Sequence, residues 1–423
     1  MAMHTRGPDN RPTIDIREIT ETELEGWDRA LHRGFMRPAV TSSAELRRTR
    51  FQPGRSLGAY DEDHCVGTFR SFGTELTVPG GAAVAADAIS NVSVAPTHRR
   101  RGLLSRMMAR DLAAAAARGD AVAILVAAEY GIYGRFGFGP ATRCDGLVID
   151  LARAGGLRPV ADPAGGRIDL VPMEEVRALG PDLFDRYRRM QPGAIERPAT
   201  IWRLRTGDLP LPHGSWEEPY VAVHRDASGR PTGMLAYTVS DTWDGKVPDC
   251  TLTVRDHFAV DPAAAVALWR FAFSVDWIRH VEVRNIAPDD PLPLLLNDPR
   301  AARPTTSSDD FVWLRILDMG AAFAARTYGA PGRIVLEVSD PDGFTEGRWA
   351  LHTAADGTGR CERTDDPADL ALGVSALSSL YLGGETVPRL AAAGLVREVL
   401  PGAAARADLT LRTPYRPWCP DMF

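Results

Sequence analysis

The run AVAILVAA, Ala121 to Ala128, is uninterrupted apolar sequence of a length that suits a strand buried on both faces. Directly before it, RGLLSRMMARDLAAAAAR sets Leu103, Leu104, Met107, Met108, Leu112 and Ala115 at i, i+3/i+4 spacing, the single apolar face of a packed helix. Gly119 is suited to cap that helix at its C-terminal end. Before the helix, AAVAADAISNVSV (Ala82 to Val94) reads as another buried strand. Strand, helix and strand in this order predict a βαβ unit with two parallel strands.

The turn inside this unit is SVAPTHRRRGLLSRM, with Arg99, Arg100 and Arg101 running into Gly102 and the helix start. A helix N-terminus exposes unpaired N–H groups and partial positive charge, so it binds anions. Gly102 lets a ligand approach the backbone, the amides of Leu103, Leu104 and Ser105 follow, and the arginines add bidentate donors. No GxxxxGK[ST] loop is present, and the only lysine, Lys246, stands in TWDGKVPD. GRFGFG (Gly134 to Gly139) does not follow the dinucleotide fingerprint. A compact pyrophosphate site is the chemistry that remains. The formal net charge of -6 excludes a globally basic nucleic-acid binder, and no nucleic-acid partner is expected.

With 423 residues the chain needs more than one core. Two loop-rich stretches, Ala152 to Arg167 and Asn297 to Asp310, divide it into α/β blocks at 1–152, 153–303 and 304–423. Residues 1 to about 12 read as a polar lead. The middle block holds a hairpin pattern with Asp226 to Gly229 in the turn. It also holds FAVDPAAAVALWRFAFS (Phe258 to Ser274), which lies over VSVAPTHRRRGLLSRMM without the arginines and the glycine, a faint internal repeat. The five cysteines are scattered without a CxxC pair, which excludes a disulfide framework or zinc site and fits a reducing cytoplasm; no metal is expected. No apolar run approaches the ~20 residues that span a bilayer, and no signal peptide is expected at the polar N-terminus.

VSVAPTHRRRGLLSRM resembles the acyl-CoA loop of GCN5-related N-acetyltransferases, R/Q-x-x-G-x-G/A, with Arg99 and Gly102 in the first two conserved places and Leu104 in the third. Together with VAAEYGIYGRFGFGPAT (Val126 to Thr142), LYLGG and the three-block layout, it resembles the Eis (enhanced intracellular survival) family. The resemblance implies an α/β (α+β) architecture of tandem acetyltransferase folds, the second degenerate, followed by a sterol-carrier-like domain. It implies a homohexamer that moves acetyl from acetyl-CoA to primary amines of aminoglycosides or other polyamines. Protein or peptide lysines are the alternative acceptors, and a non-catalytic CoA- or lipid-binding module is the alternative outside enzymes.

The resemblance places pantetheine along Val92, Ser93 and Val94, and the pyrophosphate on Arg100, Arg101, Gly102, Leu103, Leu104 and Ser105, with Ala128 and Glu129 at the end of the next strand. It makes Tyr133 the acid for the leaving thiolate; a tyrosine pKa near ~10 lies above a thiol's ~8.5. Tyr130 is the competing tyrosine without the match. It makes the α-carboxylate of Phe423 the second catalytic group, ionised at neutral pH because its pKa is about 3.3–3.7. YRPWCPDMF is apolar for a tail and predicts a docked terminus. Met422 stands where the family pattern leads one to expect an acidic residue, with Asp421 beside it. LALGVSALSSLYLGG reads as core rather than a lipid tunnel.

Overall fold

A computed structural model describes residues 14–38, 44–159, 166–209 and 216–423. The N-terminal lead and part of the first boundary stretch lie outside them. The βαβ unit forms as its pattern requires. Strand β4 (Ala83–Val94) runs into α3 (Leu103–Arg118), and β5 (Val122–Val126) returns parallel to β4. Leu103, Met107, Met108, Leu112 and Ala115 are buried against the sheet, and Gly119 ends α3 in the left-handed conformation. In β5 every residue from Val122 to Leu125 is buried, which explains its unbroken apolar run.

Three further strands, β1 (Asp15–Glu18), β2 (Ser56–Asp61) and β3 (His64–Thr77), extend the sheet antiparallel from β4; α1 (Leu24–Gly34) packs on β3 and β4, and Leu46 of α2 (Ala44–Arg50) is buried with Leu204 and Leu209. Beyond β5 the sheet continues with Val312–Ile316 and Gly139–Pro140. A second seven-stranded sheet contains Ala302–Asp310, Arg143–Asp150, Ile278–Ile286, Cys250–Ala259, Pro231–Val239, Tyr220–Arg225 and Arg167–Leu170, in that spatial order. A third sheet has five strands from Gly332 to Glu398.

Block limits at 152 and 303 do not coincide with the limits of the sheets. Arg143–Asp150, assigned to the first block, pairs in the second sheet, and Val312–Ile316, assigned to the last, pairs in the first. Alternation marks these segments as strands, but pairing partners are chosen by long-range packing that local pattern does not encode. The middle block repeats the first one's unit: Cys250–Ala259, helix Pro262–Ser274 and Ile278–Ile286, again with parallel strands.

The third block locks onto the first sheet. Helix Val374–Tyr381 is buried almost throughout and lies so close to Gly139 that a Cβ there would stand 2.1 Å from the Ser375 carbonyl oxygen. The Gly-rich GRFGFG segment thus serves a backbone-to-backbone approach. Arg315 is fully buried and pairs with Asp340 at 2.6 Å. Leu377, Leu380 and Tyr381 fill the main apolar cluster, so LALGVSALSSLYLGG is core.

Between α3 and the sheet lies a buried acidic pair. Asp87 receives Arg55 at 2.6 Å and Arg118 at 2.8 Å, whereas Asp111 accepts from the Ser71 hydroxyl at 2.7 Å and, among the described residues, has no ion pair. Burial and the neighbouring Asp87 push the Asp111 carboxyl far up. An unfolded aspartate releases its proton near ~3.9. The folded chain holds the proton longer, so the contribution is full below that pH and is lost as pH rises through about 8. Asp111→Asn keeps a neutral side chain, so its Tm should fall less than wild type's between pH 6 and pH 9. Equal falls would contradict the assignment.

Candidate active site

Strand β4 changes course where the site is expected. Thr68 of β3 faces Ser93, but Arg70 faces Ser90, so β4 carries one extra residue between them, and Asn91 has φ 55°. Pairing between β4 and β5 ends at Ile89 and Leu125. From Ser90 onward the two parallel strands have separate neighbours, leaving a wedge with the α3 N-terminus at its base. Ala128 and Glu129 follow β5 and are exposed at its mouth.

The basic loop is shaped around that helix start. Arg100 (φ 63°) and Gly102 (φ 73°) both take the left-handed conformation, natural only for the glycine. No side chain caps α3. Arg100, Arg101, Gly102 and Ser105 are exposed, while Leu103 is buried and Leu104 half-buried, anchoring the helix. In the second copy Asp261 caps the corresponding helix, accepting from the Ala264 amide at 2.8 Å. One helix start is closed by its own carboxylate; the other is open to a foreign anion.

Arg99 has a different task from its neighbours. Its guanidinium donates to the carbonyls of Val94 and Gly34, both at 3.3 Å, and ties the loop to the end of β4 and to α1. His98 is held by Asp61 at 2.9 Å. Ser93 is buried and shares a hydrogen bond with the Thr68 hydroxyl at 2.8 Å, while Val92 and Val94 pack on the cluster that contains Leu103 and Tyr133.

Tyr133 ends the short helix Tyr130–Tyr133 and is buried, its ring edge-on to Phe138 at 6.3 Å. Burial first, and Glu129 second, raise its pKa, so the phenol stays protonated. Tyr130 points outward, 66% exposed, against Trp313.

The C-terminal tail is docked. Trp418 donates from its indole to Asn285 at 2.6 Å and from its amide to Pro192 at 2.8 Å; Cys419 is fully buried. Arg197 grips Asp421 through Nε at 2.9 Å and Asp256 through both terminal nitrogens at 2.7 and 3.0 Å, with its plane 3.7 Å over Phe184. Arg205 bridges the same two carboxylates. Asp421 is thereby consumed by the fold, and Met422 is 70% exposed. Phe423 packs edge-on against Phe72 at 5.9 Å.

Phe423 borders a cavity of about 420 Å³ whose lining includes Arg50, Arg70, Phe72, Ser90 and Asn91. The cavity therefore abuts the stretch of β4 that leads into Val92. Tyr133 is not part of its lining; it belongs to the apolar cluster on the loop side of the strand. Arg70 shares the cavity-facing side of β3 with Phe72, two residues on, a period-2 signal visible in HCVGTFRSF. Among the described residues, no cluster of three or more His, Cys, Asp or Glu is placed to hold a metal, and no helix is long and apolar enough to cross a membrane.

Comparison with known proteins agrees with this architecture. Residues 15–141 and 193–316 each match an acetyltransferase (GNAT) domain family, and residues 319–420 match a sterol carrier protein domain family. The chain is 51% identical over 414 residues to an uncharacterized N-acetyltransferase of Streptomyces avermitilis, covering 97% of this chain and 99% of that one. It is 37% identical over 346 residues to the N-acetyltransferase Eis of Mycobacterium tuberculosis, covering 80% and 81%. The crystal structure of Eis1 from Mycobacterium abscessus superposes with a TM-score of 0.83 at 33% identity, covering 97% of this chain and all of that one. A GCN5-related N-acetyltransferase from Anabaena variabilis shares the fold, with a TM-score of 0.82 at 20% identity. Tandem acetyltransferase folds, a sterol-carrier-like third domain and this level of identity make the chain a member of the Eis family of GCN5-related N-acetyltransferases.

Proposed function

We propose that the chain transfers acetyl from acetyl-CoA to the primary amine of a small acceptor by direct attack. The observation that carries this reading is what meets at the β4 bulge. An uncapped helix start and a splayed strand pair lie on one side of the β4 bulge, and a cavity bordered by the chain's own C-terminus lies on the other.

The bound thioester supplies an activated carbonyl. In this reading the amides of Gly102 to Ser105, with Arg100 and Arg101, hold the pyrophosphate. Val92, Ser93 and Val94 line the pantetheine arm. The acceptor's amine lone pair forms the new C–N bond as the C–S bond breaks. Tyr133 gives its proton to the departing thiolate, and the Phe423 carboxylate takes a proton from the nitrogen. Arg99 positions the loop from behind.

Aminoglycosides and other polyamines are the acceptors that the family resemblance suggests. The cavity supports a small amine better than a protein lysine, because the docked tail forms one of its borders. Initial rates at varied acetyl-CoA and amine test direct attack. Intersecting double-reciprocal lines are expected from a ternary complex, and parallel lines would refute the reading.

A further inference from the structure

We infer that the acceptor carries an anionic group, a carboxylate or a phosphate, beside its amine, and that Arg50 and Arg70 bind it. The inference deepens the proposed reaction and rests on the cavity assigned to it.

Arg70 reaches the cavity from β3 and Arg50 from the end of α2. Among the described residues, neither makes an ion pair, and the Nε of Arg70 is buried with no hydrogen-bond partner. Arg70 stacks over the face of Phe72, 5.1 Å away. Burial, and then Arg50 nearby, lower the Arg70 pKa to about 10; burial also lowers that of Arg50. Two like charges share one wall; Asp28 offsets part of the Arg50 charge, but no ion pair among the described residues neutralises Arg70, a folding cost that an anionic ligand would recover.

The acidic groups around the cavity do not serve this purpose. Asp421 is taken by Arg197 and Arg205. Burial, and secondarily Glu75, raise the pKa of Glu196, which favours its neutral form. The Phe423 carboxylate forms no ion pair among the described residues and is assigned to the amine. A polycation would bring further like charge to Arg50 and Arg70. An amine with an anionic group matches both ends of the space: ammonium toward Phe423, anion toward the guanidiniums. Guanidinium pairs suit either carboxylate or phosphate through bidentate hydrogen bonds.

Matched acceptors separate the sources: 4-aminobutanoate against butylamine, and 2-aminoethyl phosphate against 2-aminoethanol. For wild type, the anionic member of at least one pair should have a kcat/KM about 10- to 100-fold higher, the equivalent of one charge-assisted hydrogen-bonded pair. Arg70→Gln should narrow that ratio to within about threefold, mainly through KM. Arg50→Gln should act in the same direction and is the second variant. Equal or better use of the neutral amines overturns the inference. So does an equal loss with both acceptors in Arg70→Gln, which would mean that Arg70 serves the Phe423 carboxylate instead.

Inorganic phosphate gives a readout independent of turnover. With CoA held at saturation so that the α3 start is already filled, it should raise the Tm of wild type but not of Arg70→Gln, whose own Tm should not fall, since an unpaired buried charge is removed. No phosphate-dependent shift in wild type would overturn the inference. Absence of CoA release with every amine, while the phosphate shift persists, would instead overturn the proposed reaction alone.

Discussion

Tyr133→Phe is expected to lower kcat by about 10²- to 10⁴-fold, the range that positioned general acids contribute. The pKa of the native phenol is raised by burial, so it is a proton donor at neutral pH and never a competing base. Its hydroxyl makes no hydrogen bond among the described residues, and the ring packs edge-on against Phe138. The substitution therefore leaves packing intact, and Tm should change little. The KM for acetyl-CoA should hold as well, because pyrophosphate binding is assigned to the α3 start. Stopped assays of thiol release give kcat, and thermal melts give the control. A Tyr133→Phe enzyme within twofold of wild type would remove Tyr133 from the mechanism. Tyr130, exposed against Trp313, should tolerate the same change.

The second large effect belongs to the tail. Arg197→Met should destabilise the chain by about 3–5 kcal/mol, the range measured when one partner of a buried charge network is removed. The change leaves Asp256 and Asp421 buried with only Arg205 between them. Asp421 is the last anchor before Phe423, so catalysis should fall further than stability requires. Arg197→Lys should rescue little, since an ammonium cannot hold two carboxylates in the forked geometry seen here. Urea unfolding and kcat measured on the folded fraction check this. Full activity in a folded Arg197→Met chain would separate the tail from the chemistry.

Local features were legible in the sequence. The α3 periodicity, the double-sided burial of β5, the Gly119 cap and the open helix start follow from residues within a few positions of one another. The faint repeat proved to be a second strand-helix-strand unit, and Asp261 explains why its helix start is closed to a foreign anion. Contacts between distant segments were not legible. Gly139 reads as part of a Gly-rich loop until Ser375 is found against it. Arg197 and Asp421 lie 224 residues apart, and nothing local couples them. Arg99, the first conserved place of the loop motif, is a brace for Val94 and Gly34, which only the folded course of α1 reveals. The sequence did flag that Met422 breaks the acidic pattern. The fold adds that Asp421 is spent on Arg197 and Arg205, while Phe423, Arg50 and Arg70 line one cavity.

The proposed site joins the α3 start, Tyr133 and the terminal carboxylate in moving acetyl from CoA to an amine. Its most direct test is amine-dependent release of CoA thiol by wild type, by Tyr133→Phe and by a chain with a few residues appended after Phe423. Wild type should release thiol only when an amine is present, and each variant should lose about two orders of magnitude or more. Full turnover by the extended chain, or no amine-dependent release by a wild-type protein that binds acetyl-CoA, would contradict it.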